Sequence, residues 1–250
     1  MEPIQLVMRR HFQHEEGNPK TEWHLETMRC KTAFAFVDDD DLEFIIVRQE
    51  EKIEVSEFLL EHFFPEVPIG KIVNMDVNRE VRPWLADFIE SVLASSTSIA
   101  IRKRDDGQLV ALAVNMIERP GAPDITQFVN PVQHPLMYMN MAFLEDLSVF
   151  PNDCPASSEM FNVFMISVSP KYSNRGLASK LIQLSVQLAG QLGIRMVISQ
   201  AVNYYAIKAL EKCGFRSVKQ LSYNEFVYCE TTPLANNGIH QKAELMVLHQ

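Results

Sequence analysis

Residues 173–178, Ser-Asn-Arg-Gly-Leu-Ala, join an apolar run at 161–168 to an amphipathic stretch that reaches about residue 192. A strand that passes through a tight loop into a helix leaves the first N–H groups of that helix without intrahelical partners. Those groups converge on one point and bind an anion there. Ser173, Asn174, Arg175, Gly176, Leu177, Ala178 and Ser179 are therefore candidate phosphate-binding residues, with Gly176 and Ala178 small enough to admit a ligand to the backbone. The spacing is not the Gly-x-x-x-x-Gly-Lys-Ser/Thr of a mononucleotide loop, nor the Gly-x-Gly-x-x-Gly of a dinucleotide turn. Downstream, an apolar run at 194–200 leads to Asn203 and a short helical stretch, and Gly214 suits the left-handed cap that ends it.

The elements that must hold these residues follow from periodicity. Residues 43–48 predict a buried strand and 53–63 a helix, and 79–95 predict one helix with Val81, Leu85, Phe88, Ile89 and Leu93 on its inner face. Residues 97–102 and 108–117 predict a hairpin about Asp105-Asp106-Gly107. Residues 118–133 predict a Pro-rich loop and 136–150 a Met-rich helix, while 215–221 and 243–249 predict closing strands about a turn at Asn236-Asn237-Gly238. The first 41 residues, which end in an acidic run, read as an extension ahead of a single domain at 42–250.

Composition narrows the classes. A chain of 250 residues that is 47% apolar can bury the core of one α/β domain. The net charge of −9 argues against a nucleic-acid surface. No apolar run approaches the roughly 18 residues of a membrane span, and there is no basic-then-apolar leader, so a soluble cytoplasmic protein without a membrane partner is expected. Cys30, Cys154, Cys213 and Cys229 form no Cys-x-x-Cys pair and read as reduced thiols. His11 and His14 have metal-like spacing but lack further ligands, so no metal is expected.

Two motifs in order carry a resemblance. Arg175-Gly-Leu-Ala178 after Val168-Ser-Pro-Lys-Tyr172 resembles the pyrophosphate loop of the GCN5-related N-acetyltransferase (GNAT) superfamily, Arg/Gln-x-x-Gly-x-Gly/Ala, with Ser173 at the Arg/Gln position. Asn203-Tyr-Tyr-Ala206, followed by Glu211-Lys212-Cys-Gly214-Phe215, is similar to its Asn-x-x-Ala and Glu-Lys-x-Gly-Phe signature. Phe63-Phe-Pro-Glu-Val-Pro68, the Met-rich helix and Tyr223-Asn-Glu-Phe226 resemble features of invertebrate arylalkylamine (dopamine-like) N-acetyltransferases. The resemblance implies the GNAT acyl-CoA N-acyltransferase fold, a mixed central sheet of about seven strands flanked by helices. It also implies acetyl-CoA as co-substrate, bound at Ile166, Val168, residues 173–179 and Asn203.

The reaction so implied moves an acetyl group from acetyl-CoA directly to a small primary amine, arylalkylamine-like or polyamine. An alkylamine with a Lys-like pKa near 10.4 leaves about one molecule in 2,500 uncharged at pH 7, so a base or water relay is useful. In the family, backbone N–H groups of the splayed strand, here around Ile166 to Val168, stabilise the oxyanion. Several positions depart from the family: Val67 stands at the catalytic Glu, Leu210 at a Tyr acid, and Ala206 near a catalytic Ser. Glu66, one residue earlier, is the candidate base acting through water, and Tyr205 the candidate acid. Met137, Met139, Met141, Tyr138 and Phe143 either line an aromatic acceptor pocket or belong to the core. The alternatives are a catalytically degenerate acyl-CoA-binding protein with a regulatory role, or a transferase for protein or peptide amines. A monomer or a homodimer fits equally.

Overall fold

The computed structural model describes residues 41–119, 124–154, 156–235 and 238–250. The expected extension, with its His11 and His14, lies outside them apart from residue 41, as do Asn236 and Asn237 of the expected turn.

Among the described residues, seven strands form one sheet: β1 (Leu42–Ile46), β2 (Ile99–Lys103), β3 (Leu109–Glu118), β4 (Met160–Val168), β5 (Met196–Ala201), β6 (Arg216–Ser222) and β7 (Lys242–His249). Their spatial order is β1-β2-β3-β4-β5-β7-β6. All neighbours are antiparallel except β4 and β5, which run parallel. The expected hairpin forms β2 and β3, with Gly107 of its turn at φ 70°. This mixed sheet and its flanking helices are the architecture expected from the sequence.

Among the described residues, seven helices cover the sheet: α1 (Lys52–His62), α2 (Pro68–Ile72), α3 (Val77–Glu80), α4 (Arg82–Leu93), α5 (Pro135–Ser148), α6 (Leu177–Gln191) and α7 (Tyr204–Lys212). Helices α1 and α4 bury Leu59, Leu85, Phe88 and Ile89 against Leu112, Val114 and Met165 of the sheet. On the opposite face Leu177, Leu181 and Leu184 of α6 pack on Ala111 and Ala113, whose small side chains let the helix lie close. A buried polar clasp fixes α6 in place: Asn115 of β3 donates from Nδ2 to Ser185 Oγ at 3.0 Å and to the Thr97 carbonyl at 2.8 Å.

The helix expected over 79–95 is instead two, α3 and α4, broken at Val81 (φ −120°, ψ −51°). Pro83 is the reason: it lacks an N–H and its ring clashes with the carbonyl four residues back, so it is accommodated only in a first turn. Asp76 caps α3 by accepting from the N–H groups of Asn78 and Arg79. Buried Glu80 then accepts from the N–H groups of Leu136 and Met137 at 3.1 and 3.2 Å, placing a carboxylate at the positive end of α5. The break thus ties α3 to the start of α5.

Candidate active site

Strand β4 holds the site because it is paired on one edge and mostly open on the other. Its antiparallel pairing with β3 shifts register between Val114↔Met165 and Asn115↔Val163, which leaves Phe164 as an extra, bulged residue. Its pairing with β5 is confined to Phe161↔Val197 and Asn162↔Ile198. Beyond Asn162 the two strands diverge and a gap opens toward their C-terminal ends. Ser169 donates its N–H to the Val110 carbonyl at 2.9 Å. Because hydrogen-bonded and non-bonded pairs alternate along an antiparallel ladder, the backbone groups of Ile166 and Val168 point away from β3 and into the gap.

At the mouth of the gap the chain turns into α6 through two left-handed residues, Asn174 (φ 61°) and Gly176 (φ 74°). Asn and Gly are the residues that enter this region most readily. No side chain caps α6, so its first N–H groups remain for a ligand. A Cβ built on Gly176 meets nothing within 4 Å, which shows open space beside the backbone there. The Ser173 hydroxyl donates to the Pro170 carbonyl at 2.8 Å and so holds the turn's own backbone. Arg175 lies over the Tyr172 ring, 5.5 Å from its centroid. The residues of the sequence motif thus form a left-handed turn into the uncapped start of α6, next to the exposed edge of β4.

The far side of the gap is built at the end of β5. Asn203 caps α7, its Oδ1 accepting from the Ala206 N–H at 2.8 Å. Tyr204 donates its N–H to His240 Nδ1 at 3.2 Å, and the Tyr205 ring lies 6.0 Å from the His240 ring. With Nδ1 accepting, the neutral imidazole carries its proton on Nε2. Burial, and then the positive field of Lys71, hold its pKa below the ordinary histidine value. Sequence reasoning missed His240, since it sits in a patternless connection between β6 and β7. Tyr205 is 66% exposed.

Glu66 ends a 3₁₀ turn (Phe64–Glu66), and its side chain, 68% exposed, binds Lys71 Nζ at 2.5 Å. Neighbouring Val67 turns inward and packs with Phe143 and Tyr223. Met139 and Phe143 are core, stacked among Tyr223, Phe226 and Leu245, whereas Tyr138 of the same helix is 39% exposed. Leu210 of α7 is buried, in one apolar cluster with Ile182 and Ala189 of α6. Tyr223 donates its hydroxyl to the Val202 carbonyl and anchors the end of β5, and burial pushes its pKa up. Among the described residues no group of three or more His, Cys, Asp or Glu could hold a metal ion.

A mixed sheet split between two parallel strands, with the uncapped start of α6 at the mouth of the split, has the architecture of an α/β acyltransferase fold. Residues 9–215 match the model of the Acetyltransferase (GNAT) family, and the chain belongs to that family of N-acetyltransferases. No curated protein sequence matches. The fold is similar to that of arylalkylamine N-acetyltransferase 2 from Aedes aegypti, with 22% identity, a TM-score of 0.72, and coverage of 83% of this chain and 98% of that one. It is also similar to the Drosophila melanogaster polyamine N-acetyltransferase that forms N-acetylagmatine (18%, TM-score 0.60, 84% and 100%). A third likeness is the C-terminal condensation domain of Ebony in complex with beta-alanyl-dopamine (12%, TM-score 0.66, 84% and 99%). At these identities the likeness establishes the fold.

Proposed function

We propose that the protein transfers the acetyl group of acetyl-CoA directly to a small primary amine, arylalkylamine-like or polyamine. The observation that carries this reading is the one-sided pairing of β4, which turns the backbone of Ile166 and Val168 into a gap leading to the uncapped start of α6. The residues present fit the co-substrate. Its pyrophosphate suits the N–H groups of residues 176–179, with Arg175 contributing charge, and the amides of its arm suit the open edge of β4. Bound there, acetyl-CoA supplies an activated thioester carbonyl.

The chain's own residues then divide the work. The N–H groups of Ile166 and Val168 are positioned to hold the arm and to donate to a developing negative charge. Asn203 orders the start of α7 and offers its amide nitrogen. Tyr205, beside His240 at the end of the gap, is the hydroxyl available to protonate the leaving thiolate. Glu66 serves as base once Lys71 releases it. The likeness to an arylalkylamine N-acetyltransferase and to a polyamine N-acetyltransferase that forms N-acetylagmatine favours a small amine as acceptor. We read residues 42–250 as the catalytic domain of a cytoplasmic protein. Among the described residues no helix is long and apolar enough to cross a membrane.

The surface position of Glu66 favours one second reading, an acyl-CoA-binding protein without turnover. Calorimetric titration with acetyl-CoA, followed by thiol release against aryl amines and polyamines, separates the two. Binding with thiol release is the expected outcome. Binding without release from any amine supports the binder, and absence of binding rejects both.

A further inference from the structure

Among the described residues, a carboxylate at the closed end of the gap is without a Lys or Arg partner. Glu118 is the last residue of β3 and faces Met160, the first of β4. Its Oε1 accepts from Asn162 Nδ2, and Asn162 is the last residue of β4 paired to β5. Among the described residues no Lys or Arg pairs with Glu118, and the side-chain oxygen of Asn162, a residue only 1% exposed, has no hydrogen-bond partner. A half-buried anion with one neutral donor is an arrangement that a cation would relieve.

Glu118 also forms the wall of a cavity of about 140 Å³, which is otherwise lined by Phe150, Met160, Ile198, Leu245, Ser148 and Gln200 among others. That volume is close to the about 150 Å³ of an engineered cavity that accepts benzene. Gln200 lies two residues past the last paired position of β5, so it belongs both to the cavity and to the edge of the gap. Its Nε2 donates to the Leu144 carbonyl at 3.0 Å and to Ser148 Oγ, pinning the end of α5 over the cavity. Apolar walls, one anion and a lining residue, Gln200, at the edge of the gap select a primary ammonium on a short alkyl or single-ring body.

We infer that this cavity is the acceptor site of the transferase and that Glu118, in place of the exposed Glu66, holds the ammonium of the incoming amine and takes its first proton. The inference rests on the acetyl-transfer reading. One ammonium N–H bond breaks, its proton passes to a carboxylate oxygen of Glu118 and the electron pair stays on nitrogen. That pair makes the C–N bond to the acetyl carbon as the C–S bond breaks with its electrons on sulfur. Tyr205 gives its hydroxyl proton to the thiolate and recovers the second N–H proton through solvent, and Glu118 releases the first to solvent. Burial holds the Glu118 carboxyl above the usual carboxylate range, against the opposing effect of the Asn162 bond, which suits a group that must accept a proton.

The test uses the full chain with 2-phenylethylamine and 1,4-diaminobutane as probes. Amine binding is measured by calorimetry without acetyl-CoA, acetyl-CoA binding is measured separately, and kcat and KM come from thiol release. Glu118→Gln should weaken amine binding at least tenfold and lower kcat at least tenfold, while acetyl-CoA affinity stays within twofold of wild type. Ser148→Trp, which fills the cavity from the end of α5 and keeps the carboxylate, should raise KM at least tenfold; it also guards against a folding defect in the first variant. If wild type binds acetyl-CoA and releases thiol while both variants keep amine affinity, KM and kcat, this site is overturned and the transferase stands. If wild type binds neither acetyl-CoA nor an amine, both readings fall. Amine binding lost in Glu118→Gln without any acetyl-CoA affinity in wild type upholds the ammonium site and overturns its role in transfer.

Discussion

Gly176 matters for two separable reasons, its left-handed backbone and its place beside an anion. At φ 74° any L side chain is strained by roughly 1–2 kcal/mol, yet the space around it is open. Gly176→Ala should therefore lower the melting temperature by only a few degrees, at roughly 2–4 °C per kcal/mol for a chain of this size. Gly176→Glu adds a negative charge where the helix N-terminus would hold the pyrophosphate, so acetyl-CoA affinity should fall at least tenfold beyond the alanine variant. Calorimetry and thermal melting of the pair check this. Equal affinities in the two variants would remove the phosphate from this loop. Glu118 shows the opposite legibility: a carboxylate at the end of an apolar run reads as the start of a solvated loop, and only pairing with Met160 and the bond from Asn162 place it at a vertex. His240 was equally hidden, because its meaning comes from Tyr204 and Lys71, distant in sequence.

Elements were more legible than contacts. The strand, loop and helix of β4 and α6 were readable because apolar period, Gly punctuation and cap chemistry are local signals. The single helix expected over 79–95 was mistaken where Pro83 overrides a continuous apolar stripe. The 3₁₀ turn and α2 near Glu66 were not anticipated, since five residues after a proline carry no measurable period. Helix α7 permits a test that separates stability from ligand contact. Asn203→Ala removes the cap of the Ala206 N–H and should destabilise the protein by about 1 kcal/mol. Asn203→Ser keeps an oxygen that can cap and should restore the melting temperature. If Asn203 also touches acetyl-CoA through its amide nitrogen, the serine variant restores stability but not affinity, and the alanine variant loses both. Full recovery of affinity with serine would confine Asn203 to capping.

Across the whole molecule the sheet is nearly two sheets. Strands β1 to β4 meet the β5-β7-β6 group through only two residue pairs, Phe161↔Val197 and Asn162↔Ile198, with α5 and α6 packed across the junction. A ligand that fills the gap replaces the missing ladder, so acetyl-CoA should stabilise the protein as a unit. At 100 times its Kd the linkage amounts to about 2.7 kcal/mol, which at roughly 2–4 °C per kcal/mol raises the melting temperature by about 5–10 °C. Amide exchange locates the effect more finely. The N–H groups of Met165 and Ser167 face β3 and are already bonded, whereas those of Ile166 and Val168 face the gap. Acetyl-CoA should slow exchange at Ile166 and Val168 far more than at their two neighbours, giving an alternating pattern along β4 that residue-resolved hydrogen exchange can read. Uniform protection along the strand would indicate general tightening of the fold, and protection confined to Met165 and Ser167 would place the ligand on the wrong edge of β4.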